Sequence, residues 1–191
     1  MIVMDYRTEL IKSACILFSQ RGYDAVGVQE LVDSVGVTKP TLYHYFGSKQ
    51  GVLEAIFLTY LKPFGAQLTE KCIYHHDIVK SLEDIARHYF DFARTEPGFF
   101  RLWMSIRISP PQSTAFQSLS SYLEIQHRLI SNLFIKAAEH HGNLRGKQEM
   151  LATSFIGLLY IYATDAIQGN QKMDENMVYQ IVHQFMYGIF S

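Results

Sequence analysis

The chain has only two cysteines, Cys15 and Cys72, among its 191 residues. Both lie among helix-forming residues rather than in a loop-rich scaffold, so two reduced thiols are favoured over a disulfide. The N-terminus lacks a basic segment followed by an apolar core. The longest apolar run, residues 155–163, is far shorter than the ~20 residues needed to cross a bilayer. These absences predict a cytoplasmic protein with no membrane partner.

An excess of positive charge is also missing, because 17 lysines and arginines stand against 18 aspartates and glutamates, for a formal net charge of −1. Proteins that bind nucleic acids through bulk charge are usually strongly basic. DNA binding by this chain would therefore need charge that is placed locally. Residues 36–51 meet that condition, since they contain two lysines and no acidic residue.

Alternation of period two is almost absent, and apolar residues recur with helical spacing along the whole chain. Capping residues, glycines and prolines predict helices near residues 5–21, 28–35, 38–46, 48–63, 77–95, 97–108, 113–141, 147–168 and 175–190. We therefore predict an all-α fold of about nine helices. A three-helix N-terminal domain, residues 1–50, is joined through a fourth helix to a larger helical domain, residues 51–191.

The second and third predicted helices are short and are separated by Gly36-Val37. A glycine-containing turn of this length between two helices is the spacing of a helix-turn-helix, whose second helix enters the major groove of DNA. Many helical proteins contain two short helices around a glycine. The spacing alone therefore leaves a purely structural role as open as DNA binding.

The composition of the third helix favours DNA binding. Burial requires Leu42 and at most Phe46, yet the helix also carries Lys39, Thr41, Tyr43, His44 and Tyr45. Lysine, threonine and tyrosine suit phosphate contacts, and threonine or histidine suits contacts to base edges. Lys49, in the first turn of the fourth helix, would lie beside free backbone N–H groups, which is a favourable place for a phosphate.

The run LVDSVGVTKPTLYHYFGSKQGVLEAIF, with GYDA upstream, resembles the DNA-binding head of the TetR family over about residues 7–57. Carried onto this chain, the resemblance implies DNA contacts from Gln29, Thr38, Lys39, Pro40, Thr41, Tyr43, His44 and Lys49. Tyr43 and Lys49 would mainly hold phosphates, while Tyr45 and Phe46 are expected to pack the head against the fourth helix. Gly27 departs from the family pattern, because a hydroxyl residue that touches the DNA backbone is common there.

The resemblance also implies a homodimer in which the last two helices form a four-helix bundle. Small residues that permit close helix approach, and an apolar face on the last helix, supply the candidates for that interface. They are Ala152, Gly157, Ala163, Ala166, Ile181, Phe185 and Ile189.

The resemblance further implies a ligand pocket in the body, by which we mean the larger helical domain, residues 51–191. A ligand bound there would change the distance between the two DNA-binding heads of the dimer. Eighteen of the 26 aromatic residues follow residue 63, and ligand sites are mostly apolar with few polar groups. Filling of the core explains any single ring equally well. The candidates for contact with an apolar or aromatic small molecule are Tyr89, Phe92, Phe100, Trp103, Arg107, Tyr122 and Phe155.

The function predicted from these features is a ligand-responsive transcriptional regulator, a repressor that binds a palindromic operator as a homodimer and is released by a small molecule. No cofactor and no metal are expected, since the adjacent pairs His75-His76 and His140-His141 are not natural chelates and fit solvated helix ends. An enzyme built on a helical bundle is the main alternative, but its Glu-x-x-His helices and any nucleophile motif are missing. A structural module without an effector is the third.

Overall fold

The computed structural model of the chain describes residues 5–170 and 172–188. Within these residues there are nine α-helices, one short 3-10 helix and no strand, which confirms the prediction of an all-α fold. The helices are α1 Tyr6–Arg21, α2 Val28–Asp33, α3 Lys39–Phe46, α4 Lys49–Lys71, α5 Ile78–Thr95, α6 Pro97–Arg107, α7 Thr114–Ala137, α8 Gln148–Ile167 and α9 Glu175–Tyr187.

Side chains at the helix starts explain why the helices begin where they do. The Asp77 carboxylate accepts a hydrogen bond from the Lys80 backbone N–H at 2.9 Å, and the Asp174 carboxylate accepts one from Met177 at 3.0 Å. The Ser48 hydroxyl accepts from the Gly51 N–H at 3.0 Å. Each bond satisfies a backbone donor that the first turn leaves free. The predicted starts of α4, α5 and α9 are therefore confirmed.

The predicted end of α4 at Pro63 is wrong, because the helix continues through the proline to Lys71. A proline inside a helix removes one backbone hydrogen bond. The apolar stripe nevertheless continues beyond it, since Phe64 and Leu68 are both buried. Burial of these two side chains outweighs the missing bond. The end of α7 also differs, because that helix stops at Ala137, before the His140-His141 pair.

The chain divides into two compact units, and the first comprises residues up to 63 together with 98–121. In this unit α1, α2 and α3 pack against one another. The Phe99 ring of α6 stacks on Tyr60 of α4 with centroids 4.6 Å apart, and the Gln50 amide donates to the Ser118 hydroxyl of α7 at 3.3 Å. The unit boundaries do not coincide with the predicted division at residue 50, which stays a prediction about where DNA binding ends.

The second unit comprises residues 64–97 and those from 122 onward, and in it α5 packs against both α8 and α9. Arg87 joins α5 to α9 through two parallel hydrogen bonds to the Glu175 carboxylate, at 2.8 and 2.7 Å. Deeper in the unit, the Gln126 amide donates to the Tyr89 hydroxyl and accepts from the Tyr160 hydroxyl. These three buried side chains link α5, α7 and α8 through a polar network whose hydrogen bonds offset the cost of burying it.

One described helix, α8, is long and apolar enough to cross a membrane by length and composition. A single helix of this kind is weak evidence for a membrane span, because the core helix of a soluble protein has the same composition. Part of α8 is indeed core, since Phe155, Leu159 and Ala163 are fully buried in the second unit.

Candidate DNA-binding site and effector body

The candidate DNA-binding site is built on the head, by which we mean helices α1, α2 and α3. Leu31 and Val32 of α2 and Leu42 of α3 are almost completely buried, and α1 contributes Leu10 and Phe18 to the same core. Because one face of α3 is fixed by Leu42, its other face is turned to solvent. The small size of α3 therefore leaves most of its side chains available to a ligand.

The turn between α2 and α3 is held by local hydrogen bonds. Gly36 has φ +72°, a left-handed backbone that glycine adopts without strain, and the Val37 N–H returns to the Val32 carbonyl at 3.0 Å. The Ser34 hydroxyl donates to the Leu31 carbonyl at 2.7 Å and accepts from the Ser13 hydroxyl of α1 at 2.6 Å. These bonds fix the angle at which α3 leaves α2, as the predicted helix-turn-helix requires.

The start of α3 presents an uncharged cap followed by exposed residues. The Thr38 hydroxyl accepts a long hydrogen bond from the Thr41 N–H, 3.4 Å, and shares one with the Thr41 hydroxyl at 2.9 Å. Lys39 and Pro40 are exposed beside it, and the first turn has no acidic residue. The positive end of the helix dipole thus lies at a lysine. The dipole and the lysine charge together favour a phosphate at this position.

Further along α3, the rings differ in how far they are turned to solvent. Tyr43 is 47% exposed and His44 is exposed beside it. Phe46 is half-buried, with the Arg7 guanidinium of α1 over its ring at 5.5 Å. Tyr45 was expected to pack the head against α4, yet it is 38% exposed and contacts the neighbouring rings of His44 and Phe46. Tyr45 is therefore also available at this surface.

Two of the predicted DNA contacts already have partners within the chain. The Gln29 amide donates to the Asp33 carboxylate at 2.7 Å. The Lys49 ammonium lies 4.2 Å from the centre of the Tyr23 ring and donates to the Asp24 carbonyl at 3.4 Å. Burial lowers the pKa of Lys49. Both side chains would have to leave these partners to reach DNA.

The candidate effector residues are divided between the two units. Phe100, Trp103 and Arg107 belong to the first unit, where the rings of Phe100 and Trp103 are buried and meet edge to face at 5.7 Å. Tyr89, Phe92, Tyr122 and Phe155 belong to the second. Tyr89 and Phe155 are fully buried there, and the Tyr89 hydroxyl is bonded to Gln126. The buried rings fill the core of their own unit, and their contact with an effector stays a prediction.

Two grooves of the second unit lie along α9. One, of about 430 Å³, is lined by Arg87, Asp91 and Arg94 of α5 and by residues that start α9. The other, of about 340 Å³, lies between Tyr162 of α8 and polar residues of α9. Two ion pairs lie in the first groove, Arg94 with Asp91 at 2.7 Å and Arg87 with Glu175, and Asp174 is a further acidic residue of its lining. None of the seven effector candidates lines either groove.

The candidate dimer residues lie at different depths. Ala152, Ala163 and Ile181 are buried in the core of this chain, so a partner would have to meet other residues of α8 and α9. Gly157, Ala166 and Phe185 are half-buried, and the Phe185 ring packs on Phe155 at 5.1 Å. Ile189 lies outside the described residues. Large apolar side chains remain uncovered on the same two helices: Met150, Ile161, Tyr179 and Tyr187.

One histidine of the second unit gives a pH prediction. His88 is buried, stacks on Phe64 with centroids 4.4 Å apart and lies 3.0 Å from the Phe64 carbonyl. Burial lowers the pKa of His88 in the folded chain below its ordinary value near 6.5. The unfolded chain therefore takes up this proton first, and the stability that His88 contributes is lost as pH falls below about 6.5.

We expect the free energy of unfolding to fall between pH 7.5 and pH 5.5 in urea titrations, and His88→Gln to reduce that fall. His75→Gln, in the exposed loop before α5, is the matched control and should keep the pH dependence of the original chain. An undiminished pH dependence in His88→Gln would contradict the assignment.

Comparison with known proteins agrees with the architecture of the head. Residues 10–56 match the family model described as "Bacterial regulatory proteins, tetR family". BdcR, an HTH-type transcriptional repressor of Escherichia coli K12, is 34% identical over 85 residues, which cover 42% of this chain and 43% of BdcR. The matched stretch thus spans less than half of that relative, and the same holds for the TetC protein of transposon Tn10, of which it covers 42%.

Longer matches are weaker in sequence. FasR, an HTH-type transcriptional activator of Mycolicibacterium smegmatis, is 22% identical over 186 residues, which cover 97% of this chain and 83% of FasR. The crystal structure of the transcriptional regulator FadR from Bacillus subtilis, in complex with stearoyl-CoA, gives a TM-score of 0.78 at 16% identity and covers 95% of this chain and 98% of FadR. The likeness in fold therefore extends beyond the head to nearly the whole chain.

Proposed function

We propose that this chain, whose residues 10–56 match the family model of the TetR bacterial regulatory proteins, is a TetR-family, ligand-responsive, DNA-binding transcriptional regulator. It acts as a repressor: a homodimer binds a palindromic operator and is released when a small molecule binds the body. The observation that carries this proposal is the solvent-facing side of α3, which has exposed lysine, tyrosine and histidine side chains and no acidic residue.

DNA recognition is assigned to α3 and to its first turn. Lys39, at the positive end of the α3 dipole, holds phosphate oxygens, and Tyr43 adds a hydroxyl donor. Thr38, Pro40, Thr41 and His44 face the base edges, where a hydroxyl or an imidazole can read donors and acceptors in the major groove.

Gln29 and Lys49 are secondary contacts in this proposal, because each must first exchange a partner in its own chain. Lys49 would give up a position over the Tyr23 ring, and Gln29 a hydrogen bond to Asp33. Replacing an existing interaction leaves less net binding energy than engaging a free side chain. The main contacts are therefore on α3 itself.

Dimerisation is assigned to the uncovered face of α8 and α9. Ile161 is 64% exposed on a helix whose opposite side is core, and Met150, Tyr179 and Tyr187 are exposed to a similar extent. Large apolar side chains left uncovered on these two helices support an interaction site, and a two-fold dimer is the commonest assembly that covers such side chains. A two-fold axis would place two copies of α3 on one face of the duplex.

The effector is assigned to the class of largely apolar small molecules. The aromatic residues of the body, and a fold like that of FadR bound to stearoyl-CoA, support this class. Release follows if the molecule binds more tightly to a conformation of the dimer whose heads no longer match the operator. The ligand can shift the equilibrium between the two conformations by no more than the ratio of its affinities for them.

The proposal is tested by selection of bound duplexes from a random DNA pool with the full chain. The expected product is an inverted repeat whose half-site centres lie about 34–36 Å apart, or a multiple of that distance. A reporter gene behind the selected sequence then gives the sign of regulation: lower expression supports repression, and higher expression, as the name of FasR would suggest, replaces it with activation. Failure to enrich any sequence would contradict the DNA-binding function.

A further inference from the structure

Two histidines that are distant in sequence meet in the second unit. His76 lies in the loop between α4 and α5, and His140 follows the end of α7. Their ring centroids are 4.6 Å apart and the ring planes are nearly perpendicular, at 86°. The Tyr74 ring lies 5.5 Å from His76 and 5.8 Å from His140. We call these three residues the His76 cluster.

Two features of the His76 cluster go beyond simple ring packing. Of the described residues other than glycine, His76 is the one with a positive φ, +63°. Such a conformation is uncommon in residues with a side chain, and residues held in it are concentrated at functional sites. The Tyr74 hydroxyl oxygen is buried and has no hydrogen-bond partner among the residues that the structure describes. A buried hydroxyl in that condition costs about 1–3 kcal/mol.

We propose that His76 and His140 form a binding site for a divalent transition-metal ion such as Ni²⁺ or Cu²⁺. An imidazole nitrogen binds such an ion at about 2.0–2.1 Å, which places each ring centroid about 3.2 Å from the metal. Two rings on one ion then have centroids about 4.5 Å apart at a right angle and about 5.2 Å apart at the tetrahedral angle. The observed centroid separation of 4.6 Å is close to the shorter of these two distances.

The remaining ligands of the ion would come from solvent. Among the described residues no group of three or more His, Cys, Asp or Glu side chains could hold a metal. An ion on two imidazoles therefore keeps open positions for water. Imidazole ligands with open positions follow the usual affinity order, in which Cu²⁺ binds more tightly than Ni²⁺ or Zn²⁺.

The site is independent of the proposed DNA-binding function, since none of its residues belongs to the head. It also pairs one histidine from each of the two adjacent pairs, so His75 and His141 provide controls of the same chemistry, one residue away. Asparagine is the replacement of choice, because it tolerates the left-handed backbone that His76 adopts.

Isothermal titration of the untagged full chain with Ni²⁺ at pH 7.5 tests the proposal. We expect one ion per chain, and His76→Asn and His140→Asn should each weaken binding at least about tenfold, which corresponds to 1.4 kcal/mol. His75→Asn and His141→Asn should stay within about twofold of the original chain. Ni²⁺ should also raise the melting temperature of the original chain and of both controls, but not that of the two cluster variants.

Either of two results would overturn the site. One is the absence of stoichiometric Ni²⁺ binding by the original chain. The other is an equal loss in all four variants, which would show diffuse binding to surface histidines. Circular dichroism of each variant verifies that the fold is retained. The two cluster variants remove one proposed ligand each, His76 before α5 and His140 after α7.

Discussion

Lys39→Ala is expected to weaken operator binding by about a hundredfold or more. A hydrogen bond between a charged side chain and its partner contributes about 1.5–3 kcal/mol net, and a dimer loses it in both heads, about 3–6 kcal/mol in all. At 1.4 kcal/mol per tenfold, that is a loss of roughly 10²–10⁴ in affinity. Because the chain has a net charge of −1, no general positive field remains to compensate.

The matched control is Lys12→Ala, which removes an exposed lysine of the same head from α1, where its ammonium pairs with Glu9 at 3.3 Å. Tyr43→Phe extends the test to the hydroxyl of a tyrosine on α3, and Tyr6→Phe on α1 is its matched control. Fluorescence anisotropy titrations of the selected duplex measure all four. Equal losses for Lys12→Ala and Lys39→Ala would mean that α3 does not hold the DNA.

The second large effect is expected from Gly51→Ala, which should lower the free energy of unfolding by about 3 kcal/mol or more. A Cβ at Gly51 would lie 1.9 Å from the carbonyl oxygen of Phe46 and 3.0 Å from its carbonyl carbon. Both atoms are backbone at the end of α3, so no side chain can move aside. The corner between α3 and α4 must open, and the angle of α3 changes with it.

Gly65→Ala on the same helix is the control for this substitution. A Cβ at Gly65 meets nothing within 4 Å, and alanine is the better helix former by about 0.5–1 kcal/mol. Urea denaturation followed by circular dichroism should therefore show Gly65→Ala slightly more stable and Gly51→Ala much less stable than the original chain. Near-equal stabilities of the two variants would refute the contact at Phe46.

The head was largely predictable because its signals are local. A hydroxyl or carboxylate before a helix, a glycine after it and a stripe of apolar residues each act within a few positions of sequence. Gly36 and Thr38 therefore predict where the turn begins and ends. The contact that the Lys49 ammonium makes was not predictable in this way, because the ammonium lies over the ring of Tyr23, which is 26 positions earlier in the chain.

Two features of residues 51–191 depend on contacts that sequence patterns do not show. Pro63 suggests a helix end when it is considered by itself, but buried residues on both sides of it hold α4 together. Small residues such as Ala152 and Ala163 indicate close helix packing, yet sequence does not distinguish packing within a chain from packing between chains. Hydrophobic periodicity predicts that a helix has an apolar face. It does not predict which helix, of the same chain or of another, packs against that face.

The histidines illustrate the same limit. Neither adjacent pair is predicted to chelate a metal, because successive side chains on a helix diverge, but both pairs lie outside the helices of the structure. The contact between His76 and His140 joins residues 64 positions apart and depends on where α4 and α7 end. A pattern search along the sequence contains no signal for it.

Methylation interference on the selected duplex tests most directly whether α3 reads the major groove. Dimethyl sulfate methylates N7 of guanine, which lies in the major groove, and N3 of adenine, which lies in the minor groove. We predict that guanine methylation blocks binding in two patches about one helical turn apart, or a multiple of it, and that Thr41→Ala relaxes the block in both patches alike. Interference confined to adenine N3, or a pattern that Thr41→Ala leaves unchanged, would contradict recognition by α3.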